Sequence, residues 1–68
     1  MNIAYFDDVE SAKAAMKEEY EETIQAYRQF KSIEKRIDEN TAWINSGQRR
    51  TSYKCLTLLL VRVLKCRL

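Results

Sequence analysis

Few side chains in this sequence can do covalent chemistry. Cys55 and Cys66 are its only strong nucleophiles, and there is no histidine to act as a base or a metal ligand. A cysteine enzyme needs a basic group beside its thiol. Lys54, Lys65 and Arg67 adjoin the cysteines in sequence, but adjacent residues of a helix do not face one another. Both thiols therefore read as core residues. Two cysteines alone cannot build a tetrahedral zinc site. Glu18, Glu19 and Glu22 form an acid cluster that lacks the Asp/Asn loop and turn glycine of a calcium site. No glycine-rich phosphate loop or serine elbow is present. The expectation is a protein that is not an enzyme, with no cofactor, no metal and no small-molecule substrate.

Two further patterns have bland explanations. Arg49-Arg50-Thr51-Ser52 matches the Arg-Arg-x-Ser sequence read by basic-directed kinases, and also reads as a loop followed by a helix cap. Trp43, Tyr27, Phe30 and Tyr53 offer an aromatic patch, and in a small chain also the core near a turn.

Charge is the most unevenly distributed property. Residues 1–48 carry six Lys/Arg against ten Asp/Glu, and residues 49–68 carry six Lys/Arg with no acid. Blocks of one sign steer partners electrostatically. The basic segment also holds the densest apolar run, Cys55 to Val61.

The elements that position these groups read as helices. Asp7 or Asp8 offers an N-cap, and Asp7 with Glu10 has the spacing of a capping box. From Val9 the apolar residues fall at 9, 12, 16, 20, 24, 27, 30, 33, 37 and 44, mostly steps of three and four. Lys13, Lys17, Glu18, Glu21, Glu22, Lys31, Glu34 and Lys35 fill the other side with helix formers. Asp38 to Thr41 is a weaker interruption, and Ser46-Gly47 is a natural stop. A second helix then runs from Thr51 or Ser52, on the strength of Leu56, Leu58, Leu59, Leu60 and Leu64. A strand competes over residues 53–66, because Val61-Arg62-Val63 is β-branched and alternating. Residues 1–6 are free to pair, pack or fray. On a helix Cys55 and Cys66 lie about 16 Å apart along the axis, too far for an intrachain disulfide.

The fold expected is all-α: one domain over residues 1–68, a helical hairpin with a long helix at about 8–45, a turn at Ser46-Gly47 and a short helix at about 52–67. At 1.5 Å per residue the first helix is about 57 Å long and the second about 24 Å. The stripe at Val9, Ala12, Met16, Tyr20 and Ile24 is then left without cover, and the second helix is apolar nearly all round. The favoured resolution is a homodimer, two hairpins making a four-helix bundle with coiled-coil-like packing. A three-helix bundle is the alternative. The steps 16–20–24 slip against a strict heptad, so no long regular coiled coil is indicated.

Function follows as binding. The first reading is a protein-interaction module: a small adaptor, subunit or inhibitory regulator that acts as a homodimer on a larger protein, with Val9, Met16, Tyr20, Ile24, Tyr27, Leu56 and Leu60 at the interface. The second is nucleic-acid binding, or contact with an acidic partner, through Arg49, Arg50, Lys54, Arg62, Lys65 and Arg67. The third is membrane-surface attachment by a cationic amphipathic helix over residues 49–68. Residues 1–8 have no basic start or apolar stretch of signal-peptide type, so the expected compartment is cytoplasmic and reducing.

Overall fold

The computed structural model describes residues 2–30, 32–47 and 49–66. Its elements in order are β1 (Asn2–Tyr5), α1 (Val9–Ala26), a 3-10 turn (Tyr27–Gln29), β2 (Glu34–Ile37), β3 (Thr41–Asn45), β4 (Arg49–Leu56) and β5 (Leu59–Cys66). The five strands form one antiparallel sheet in the order β1-β5-β4-β3-β2, with α1 laid across one face.

This overturns the all-α class, the helical hairpin with its bundles, and the coiled coil. The first third of the pattern is nevertheless helical. Asp8, extended at the N-cap, accepts from the Ser11 N–H at 2.8 Å, and Glu10 sits in the first turn where the helix dipole favours it. Along α1, Ala12, Met16 and Tyr20 are buried, Ile24 is half-buried, and Tyr27 closes the stripe just past the end. The helix stops at Ala26, far short of residue 45.

Beyond it, tertiary pairing overrides helix propensity. Thr41-Ala42-Trp43-Ile44-Asn45 alternates half-buried and buried, the signature of a strand with one covered face. Glu34-Lys35-Arg36-Ile37 is a charged edge strand, a composition that discourages pairing with other chains. The Asp38–Thr41 interruption is a hairpin turn in which the Asp38 N–H donates to the Thr41 carbonyl at 2.7 Å. Ser46-Gly47 is a hairpin turn as well: Gly47 takes φ +88° and donates its N–H to Asn45 Oδ1 at 3.0 Å. The expected second helix is the β4–β5 hairpin, and residues 49–56 and 59–66 settle in favour of strand. Residues 2–5, left open by the sequence, pair with β5.

The Cys55–Val61 run that looks apolar all round on a helix is apolar on both faces of this hairpin. Cys55 and Leu60 point to α1 and are buried, whereas Leu56, Leu59 and Val61 alternate to the opposite face. The core between α1 and the sheet consists of Ala12, Met16, Tyr20, Tyr27, Ala42, Ile44, Tyr53, Cys55 and Leu60. Its few polar atoms are paired. Tyr27 and Thr51 share a hydroxyl bond at 2.9 Å, Tyr53 and Thr23 one at 2.6 Å, and the Tyr53 hydroxyl also reaches the Glu19 carbonyl at 3.3 Å. A buried hydroxyl left alone costs about 1–3 kcal/mol, so these pairs fix how α1 sits on β4.

Candidate interaction surface

Helix α1 covers only one face of the sheet. The register defines what stands on the other, in rows that cross the strands. Tyr5, Leu59 and Leu56 form the first row; Ile3, Val61, Lys54 and Thr41 the second. Val63, Ser52, Trp43 and Arg36 form the third; Arg50, Asn45 and Glu34 the fourth, with Lys65 opposite Arg50 in the ladder. The face is therefore graded. Its end by the β4–β5 turn is mostly apolar, with Lys54 among Ile3, Leu56 and Val61, and its far end, beyond Trp43, carries Arg36, Arg50 and Glu34.

A hollow of about 350 Å³ opens on this face, lined by Trp43, Ser52, Lys54, Leu56, Val61 and Val63. Trp43 forms its polar-side wall, with the Arg50 guanidinium 4.8 Å above its ring. Such a contact is worth about 0.5–1 kcal/mol at an exposed site and holds the guanidinium against the sheet.

The opposite layer has the other sign. Asp7, Asp8, Glu10, Glu18, Glu21 and Glu22 are exposed along and before α1, beside Lys17. Glu19 leans inward to Arg62, with 3.7 Å between Oε1 and Nη1. Lys13 donates to Glu39 at 3.0 Å, which ties the helix to the β2–β3 turn and raises the lysine above its ordinary value. The acids of the N-terminal half thus gather on the helix layer, while the basic residues of the C-terminal strands divide between the two faces.

The residues expected at a partner interface fall on both sides of the core. Met16, Tyr20, Tyr27 and Leu60 are buried under α1 and Ile24 is half-buried, while Val9 and Leu56 are exposed. The six basic residues separate in the same way. Arg50 and Lys54 stand on the open face, Arg49 and Arg62 alternate to the helix side, Lys65 holds its place in β5, and Arg67 lies outside the described residues. The cationic amphipathic helix over 49–68, on which membrane attachment rested, is two strands over its described residues. No described helix is long and apolar enough to cross a membrane.

The aromatic patch is divided by the sheet. Tyr27 and Phe30 pack edge to face at 5.4 Å on the helix side, Tyr53 is buried there, and Trp43 stands alone on the other. Thr51 of the kinase-like sequence is buried within β4, and neither it nor Ser52 caps a helix.

Cys55 is buried, with its thiol donating to the Ala12 carbonyl at 3.6 Å and lying 3.8 Å from Met16 Sδ. Burial pushes this thiol above its ordinary value, which Lys13 offsets in part, so it is protected from reaction. In the ladder Cys66 pairs with Arg49, six residues along β4 from Cys55 and so about 20 Å away, and no intrachain bridge can form. No group of three or more Cys, Asp or Glu is placed to hold a metal among the described residues.

Sequence reasoning missed Ile3, Tyr5, Leu59, Val61 and Val63 as surface residues, and grouped Trp43 with Tyr27, Phe30 and Tyr53, from which the sheet separates it. The available signals were the alternation of Thr41 to Asn45 and of Val61 to Val63. No family model, curated protein or solved structure matches this chain.

Proposed function

We propose that this protein is a non-enzymatic protein-interaction module that works through the open face of its sheet. One observation carries the reading: Leu56, Val61, Val63 and Trp43 line a hollow, bordered by Lys54 and Arg50, on the sheet face opposite α1, the one α-helix among the described residues. An apolar bed with a polar and cationic margin is the anatomy of a protein interface. The absence of histidine from the sequence and the sequestered Cys55 support a role without catalysis. A reducing, cytoplasmic setting fits two thiols that are too far apart to pair.

The test uses an apolar dye whose emission rises on leaving water. Dilute protein is expected to bind it with energy transfer from Trp43, the only tryptophan in the chain. Val63→Asp should abolish the transfer while the circular dichroism spectrum is retained. A dilute wild-type protein that leaves the dye in water refutes the reading.

A second reading, single-stranded nucleic-acid binding, is favoured by the Trp43 corner, where Arg50 lies over the ring and Arg36 stands opposite in register. A stacking aromatic among cations suits bases and phosphates. Quenching of Trp43 by an oligothymidylate, weakening steeply with salt, is the expected sign.

A further inference from the structure

We infer that the occupant of the open face is an acidic amphipathic helix of another protein, with its apolar side chains in the hollow and its carboxylates on Lys54 and Arg50. This rests on the reading of that face as a binding surface and adds the chemistry of the partner.

Charge selects an acidic occupant. Residues 49–68 contain no Asp or Glu, so β4 and β5 bring cations to the sheet without a carboxylate of their own. Lys54 and Arg50 are both exposed, and among the described residues no carboxylate pairs with either. Arg36, farther along the face, is already held by Asp38 at 3.2 Å. Glu34, on the edge strand β2, is the one acid that the ladder sets on this face. The exposed acids Glu18, Glu21 and Glu22 lie on the helix layer, where they repel an acidic chain and favour its approach from the open side.

Backbone chemistry selects a helix. The hollow lies over β5, β4 and β3, and each of these strands is paired on both sides. The face therefore offers side chains and no free backbone groups. A segment lying on it must satisfy its own N–H and C=O groups, which a helix does internally and a single strand does not. Docking an apolar helix side into a groove is a common mode of recognition. The chain's own helix cannot serve a second copy in this way, since the apolar stripe of α1, Ala12, Met16 and Tyr20, is already buried against the sheet.

The spacing fits. Lys54 and Arg50 stand four residues apart on one side of β4, about 13 Å. Acids seven or eight residues apart on a helix laid along β4 are about 10–12 Å apart. Apolar residues between them then lie over the Val63–Ser52–Trp43 row, where the short Ser52 side chain leaves room for a larger one.

The experiment titrates the protein with a cross-linked helical peptide of about 14 residues, about 21 Å long. The peptide lacks tryptophan and carries leucines along one side, flanked by Glu in one version, Gln in a second and Lys in a third. Trp43 emission is the readout, with the dye measurement alongside. The Glu peptide is expected to bind about threefold tighter than the Gln peptide and about tenfold tighter than the Lys peptide, with the preference shrinking in salt. Lys54→Glu should reverse the order of the Glu and Lys peptides, and Arg50→Gln should shrink the preference. Both positions are exposed, so the circular dichroism spectrum should be kept. Val63→Asp should abolish binding of all three.

Dye binding with equal affinity for the three peptides, or with none, overturns the acidic helix and keeps the binding surface. A protein that binds neither dye nor peptide removes both. A preference for Glu that survives Lys54→Glu and Arg50→Gln arises elsewhere and overturns the proposal. Trp43 quenched by oligothymidylate and not by the Glu peptide overturns it in favour of nucleic acid. A mass of twice 8.1 kDa by light scattering, with the peptides excluded, overturns it in favour of a second copy.

Discussion

The guanidinium of Arg50 lies 4.8 Å above the ring of Trp43, on the sheet face that α1 does not cover. The two side chains stand on neighbouring strands, β4 and β3, one row apart in the ladder. The contact joins the cationic corner of the face to the wall of its apolar hollow. Trp43 is therefore a built-in reporter of anything that settles there.

Arg50→Ala is expected to lower stability by about 0.5–1 kcal/mol, the scale of an exposed cation–π contact. Denaturant unfolding followed by circular dichroism measures it, and the native Trp43 emission should change in the same variant. An unchanged midpoint and emission would show that the contact does not persist in solution.

Ile44 is fully buried beneath α1, and Ile37 on the edge strand β2 is 40% exposed. Ile44→Ala removes core contacts worth about 2–5 kcal/mol, a large share of the 5–15 kcal/mol that stabilises a typical domain. That variant is expected to be largely unfolded at 37 °C, whereas Ile37→Ala should lose about 1 kcal/mol or less. Comparable losses at the two sites would contradict the placement of Ile44 in the core and of Ile37 at the exposed edge of the same sheet face.

Burial raises the phenols of Tyr20 and Tyr53 and the thiol of Cys55 above their ordinary values. Each group is neutral when protonated, so the folded chain holds these protons more tightly than the unfolded chain. Their contribution is complete below the unfolded values, about 8.5 for the thiol and 10 for the phenols, and is lost as pH climbs through the folded ones. Melting temperature should therefore fall from about pH 9 upward. Replacing both tyrosines, Tyr20→Phe with Tyr53→Phe, should flatten that slope, and an unaltered slope would count against burial of the two phenols as its cause.

Thr57 is the one described non-glycine residue with positive φ, in the two-residue loop between β4 and β5. A β-branched side chain is strained there, and glycine is the residue such a turn favours at its first central position. Thr57→Gly relieves about 1–2 kcal/mol of backbone strain and returns part of it as unfolded-state entropy. The net expectation is a rise in melting temperature of about 2–6 °C, on a scale of about 1 kcal/mol per 4–8 °C for a domain this small. A fall would mean that the Thr57 side chain makes a contact worth more than the strain.

The sequence by itself determined the uneven spread of charge along the chain, the absence of histidine and the inward stripe of the helix. Val9 to Tyr27 repeats at the helical period with Asp8 to cap it, and local periodicity needs no knowledge of neighbours. The sheet was decided by tertiary structure. Lys31, Glu34 and Lys35 are good helix formers, and Leu56 to Leu60 has no alternation to betray a hairpin that is apolar on both faces. Strand identity depends on what lies opposite, such as Trp43 beside Ser52 or Leu56 beside Leu59, and those pairings are set by contacts distant from the local pattern. The open face was hidden for the same reason. Tyr5, Leu59 and Leu56 become one row only when β1, separated from β5 by most of the chain, is laid against it.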